Sequence, residues 1–109
     1  MSDYDKQISL REKILYAGAK LTSTDRNEQY GSPYKNMNDI ASLWTTYIKV
    51  RGNDELTGED VAHMMTLMKI ARTAAGGYIA DNFVDAATYQ AIAGECSAYD
   101  HGVATNDDN

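Results

Sequence analysis

Residues 58–91 read GEDVAHMMTLMKIARTAAGGYIADNFVDAATYQA, and their pattern decides the fold. Val61, Met64, Met65, Leu67, Met68, Ile70 and Ala71 make the first half nearly apolar all round, the text of a central, buried helix. Thr57 is placed to cap it, with Glu59 and Asp60 in a first turn that favours carboxylates, and Gly76-Gly77 ends it. A second helical pattern starts at Asp81 or Asn82 and carries Phe83, Val84, Ala86, Ala87, Ala91, Ile92 and Ala93. About five residues join the two, so they form an antiparallel hairpin.

Charged residues interrupt this apolar text. Lys69 and Arg72 are three apart and Asp81 and Asp85 four apart, so each pair shares one helix face. Antiparallel pairing brings the two pairs to about the same height. Two readings follow. The cluster is an interhelical salt bridge that fixes the hairpin register, or it is a polar pocket for a phosphorylated ligand, with a divalent cation on the carboxylates.

Working outward, Pro33 to Val50 is strongly amphipathic through Met37, Ile40, Ala41, Leu43, Trp44, Tyr47 and Ile48. Ser32 and Pro33 open that helix, and Gly52 closes it. Before it, Ser9-Leu10-Arg11-Glu12 has the form of a capping box, and Leu10, Ile14, Leu15, Ala17 and Leu21 fall at helical spacing to about Thr22. Thr22 to Ser32 is a long polar loop. Its Arg26, Tyr30 and Gly31 suit closure over a phosphate and a base, and equally a surface ion pair with Asp25 or Glu28. After Cys96 the periodicity fades. The expectation is an all-α protein: four helices in antiparallel arrangement around a central hairpin. One domain covers 1–99, and 100–109 form a disordered acidic tail.

Composition narrows the function. The 109 residues are 43% apolar and 24% charged, as in ordinary globular proteins, and the net charge of −6 argues against binding a nucleic-acid polymer. No segment has the length or apolarity of a membrane span, and the first residues lack a signal peptide. The single Cys96 leaves no intrachain disulfide, which fits a cytoplasmic protein. Four short helices bury little apolar surface alone, so a homodimer or higher homo-oligomer is expected. Eight tyrosines suit pocket walls and subunit contacts. Glu59 and His63, four apart, form a second polar pair near the level of Glu95; first-turn acids are ordinarily dipole partners, and one helical histidine is a weak metal signal. No glycine-rich phosphate loop, Cys/His zinc spacing or nucleophile elbow occurs.

Tyr30-Gly31-Ser32-Pro33, Asn36 through Trp44, Glu59-Asp60-Val61-Ala62, Lys69-Ile70-Ala71-Arg72 and Asp81-Asn82-Phe83-Val84-Asp85 stand in an order that resembles a family of small tailed-phage and prophage proteins. That family is in turn distantly similar to the all-α NTP pyrophosphatases of the MazG type. The resemblance implies a phage-encoded protein of the host cytoplasm that handles a nucleotide, as a magnesium-dependent pyrophosphohydrolase or as a non-catalytic, sequestering binder. On that reading Asp81 and Asp85 are the catalytic carboxylates and, with Glu59 and Asp60, the metal ligands. Lys69, Arg72 and Arg26 hold phosphates, and Tyr30 stacks on the base. The enzymes' Glu-x-x-Glu and Glu-x-x-Asp motifs are absent here.

Overall fold

The computed structural model describes residues 8–22, 31–52 and 55–103. They form four helices: α1 (Leu10–Leu21), α2 (Pro33–Arg51), α3 (Gly58–Ala75) and α4 (Ala80–Asp100). The described residues contain no strand, so the protein is all-α, as its periodicity implies. Among the described residues no helix is long and apolar enough to cross a membrane.

Local chemistry sets the helix ends. The Ser9 hydroxyl accepts from the Glu12 amide at 3.2 Å, and that of Ser32 from the Lys35 amide at 3.1 Å. Gly52 closes α2 at φ 66°, a left-handed conformation that side chains with a Cβ adopt at a cost. Thr57 and Asp60 make a full capping box, each satisfying the other's backbone amide. By contrast, the N-terminus of α4 begins at Ala80 and has no side-chain cap. Its far end runs to Asp100, beyond Cys96, because its inner face continues: Cys96 and Ser97 are half-buried.

The middle of the fold is α3, packed extensively on α4 and less so on α2. Ile40, Ala62, Met64, Ala71 and Ala93 form the small buried core. The Trp44 indole N–H donates to the Met64 carbonyl at 2.7 Å and ties α2 to α3. A narrow strip of α2 faces inward through Asn36, Ile40, Leu43, Trp44 and Tyr47. Met37 and Ile48, which the periodicity puts on the core stripe, are 54% and 41% exposed. The largest departure is α1. Its apolar stripe reads as a core face, yet none of its residues is buried, because no other helix among the described residues packs extensively along it.

Candidate functional site

Three sets of polar residues line the core helices, and their levels follow from cross-helix contacts. Between α3 and α4, Thr66 meets Gln90 at 3.1 Å and Lys69 meets Asp85 at 2.9 Å. One further turn puts Arg72 level with Asn82. Between α3 and α2, Asp60 meets Tyr47 and Met64 meets Trp44, so the same count brings Asn36 level with Arg72. Asn36, Lys69, Arg72, Asn82 and Asp85 therefore stand at about the same level, at the hairpin-turn end. Asp81 sits exposed in the first turn of α4.

This end has the properties of a polar ligand site. Asn36 is 6% and Asn82 3% exposed, yet neither the Asn36 Oδ1 nor the Asn82 Nδ2 has a hydrogen-bond partner. Such an orphan costs on the order of 1–3 kcal/mol, so its persistence calls for an explanation. The N-termini of α2 and α4 both open at this end and carry the positive pole of their helices. Lys69 is held there with its side chain only 12% exposed, while that of Asp85 is 46% exposed. The expected meeting of cation and carboxylate is thus found in the Lys69–Asp85 pair.

At the opposite end of α3 lies a different network. Asp60 is 1% exposed and accepts four hydrogen bonds: from Tyr47 Oη at 2.5 Å, Arg51 Nε at 2.8 Å, the Thr57 amide at 2.8 Å and the Thr57 hydroxyl at 3.0 Å. The Tyr47 bond, then that from the Thr57 amide, holds its carboxyl far below the usual range. Burial, and then the Asp60 carboxylate, push the Tyr47 phenol up to about 12. With its lone pairs engaged in this way, Asp60 ties α2 to the start of α3.

Next to it, Glu59 accepts from His63 Nε2 at 2.9 Å, and His63 Nδ1 accepts from the Gln90 amide at 2.9 Å. That pattern puts the imidazole proton on Nε2. The bond from His63, followed by one from Ser97, lowers the Glu59 pKa. His63, Gln90 and Thr66 edge an open pocket of about 440 Å³ whose remaining walls are Tyr47, Leu67 and Ile70.

The four acids expected to hold magnesium are consequently not one ligand set. Asp60 and Lys69 are nine residues apart on one helix, a rise of about 13 Å, and Asp85 is at the Lys69 level. Among the described residues no three His, Cys, Asp or Glu side chains converge as metal ligands. Arg26 and Tyr30 lie outside the described residues. Residue type alone does not single out Asn36 and Asn82. Each nevertheless stands where an apolar residue belongs, Asn36 in line with Ile40 and Leu43, and Asn82 in line with Ala86, Tyr89 and Ala93. A polar residue on an apolar stripe is the signal that marks them.

The family described as "Domain of unknown function (DUF6378)" matches residues 13–97, a span that contains all of these residues. The chain belongs to this family. It is 41% identical over 80 residues to the Gene 55 protein of Mycobacterium phage D29, covering 73% of this chain and 50% of that protein. To the Gene 55 protein of Mycobacterium phage L5 it is 39% identical over 79 residues, covering 72% and 49%. The DUF6378 chain thus spans about half the length of these phage relatives. No solved structure matches it significantly. The likeness to phage proteins is borne out, whereas none of these matches reaches the MazG-type enzymes.

Proposed function

We propose that this DUF6378 protein is a phage-encoded nucleotide-handling protein whose phosphate-binding end is the turn end of the α3–α4 hairpin. The observation that carries the reading is the pair of orphaned, buried amides at the level of Arg72. One offers an N–H donor, the other a carbonyl acceptor. Beside them stand an ammonium, a guanidinium and an uncapped helix N-terminus, the groups that recognise phosphoryl oxygens and an adjoining sugar hydroxyl.

A second reading, hydrolysis of a magnesium nucleotide, is favoured by Asp81 and Asp85, one turn apart on α4, with Asp85 against Lys69. Magnesium is commonly held by one or two carboxylates while substrate phosphates supply further oxygens. Asp85 is the more constrained of the two, since it already balances Lys69.

One substitution separates a ligand site from a structural lock. Asn82→Leu removes the orphaned amide while keeping its approximate volume. If Asn82 serves a ligand, the free protein melts at the same temperature or higher, and the melting shift given by a panel of nucleoside di- and triphosphates disappears. A lower melting temperature with the nucleotide shift intact refutes the site. Incubating the wild type with dNTPs and Mg²⁺ then decides the chemistry. Monophosphate formation that Asp85→Asn abolishes supports hydrolysis; binding that survives EDTA without turnover supports sequestration.

A further inference from the structure

We infer that α1 docks on the outward face of α4 in a second copy of this chain, exchanged reciprocally across a two-fold axis. Leu10, Ile14, Ala17 and Leu21 repeat at spacings of four, three and four, the seam of a helix that packs lengthwise on another. Leu10, Ile14 and Leu21 are 73%, 61% and 62% exposed, and nothing within α1 is buried. A helix of 12 residues is marginal alone in water, so its stability depends on covering that seam.

The counterpart is on α4. Asn82, Ala86, Tyr89 and Ala93 face α3, and the opposite side presents Ala80, Val84, Ala87, Ala91, Gly94 and Ala98. These also recur at alternate spacings of four and three, and all but Ala98 are exposed. The small residues on α4 leave room for the leucines and isoleucine of α1.

Charge selects the same pairing. Arg11, Lys13 and Lys20 against Glu12 leave α1 basic, whereas α4 carries Asp81, Asp85, Glu95 and Asp100 and no Lys or Arg. An α4–α4 contact would set like charges together; an α1–α4 contact sets opposite ones. Reciprocal exchange makes the contact twice, which helps two short seams approach the roughly 800 Å² per partner of a stable interface.

The test combines light-scattering mass with circular dichroism on the whole chain. The wild type is expected at twice the chain mass, and Ile14→Asp at the single-chain mass with the α1 helical signal lost. Lys13→Glu/Lys20→Glu is expected to weaken the dimer, and adding Glu95→Lys to restore it. A monomeric wild type, including one in which α1 is protected by docking on its own α4, overturns the proposal. So does an Ile14→Asp chain that stays dimeric, or a charge reversal that Glu95→Lys leaves unrescued.

Discussion

Replacing Asp60 tests the strongest structural claim, that this carboxylate is the joint between α2 and α3. Asp60→Ala removes the acceptor of four hydrogen bonds at a position 1% exposed. Losing the capping box alone costs about 0.5–2 kcal/mol. Breaking a buried ion pair costs about 3–5 kcal/mol when the orphaned partner stays buried. Arg51 does not stay fully buried, because its side chain is already 34% exposed and can turn to water. These terms share one side chain and do not add, so the expected loss is about 3 kcal/mol. For a domain of this size that is a fall in Tm on the order of 12–24 °C.

The charge has its own signature. Asp60 is depressed in the folded state, so the unfolded chain binds the extra proton. Its contribution is full above the unfolded pKa of about 4 and is lost as pH falls towards the folded value. Wild type and Asp60→Asn, unfolded in urea over a pH series, should therefore differ near neutrality and converge in acid. Parallel curves, or an Asp60→Ala loss below about 1 kcal/mol, would refute the joint.

Two further outcomes are expected. With the Tyr47 phenol pushed up to about 12, folding loses stability as pH rises from about 10 through that value; ultraviolet titration should show one late tyrosine that Tyr47→Phe removes. Asp85→Ala leaves the Lys69 ammonium, 12% exposed, without its carboxylate; urea unfolding should show a loss of about 1–3 kcal/mol that the added Lys69→Met largely recovers.

The helices were legible because their causes are local. Ser32-Pro33, the Thr57 cap and Gly52 act over three or four residues, and apolar spacing reports which face turns inward. For the same reason the Lys69–Asp85 meeting was within reach: a short turn fixes the relative height of two antiparallel helices. Local signals stop there. Thr57-x-x-Asp60 is a readable capping box, but that Asp60 also binds Tyr47 and Arg51 depends on how α2 crosses α3.

The amino-acid sequence by itself determined an all-α chain with a charged central hairpin, since periodicity, caps and turns are properties of neighbouring residues. Tertiary structure alone decided which charges share a space. Helix rise separates Asp60 from the Lys69 level by about 13 Å, and helix rotation buries Asn36 and Asn82 with unmatched polar atoms. It also decided that the apolar stripe of α1 stays exposed among the described residues, because periodicity says that a face wants covering and not what covers it.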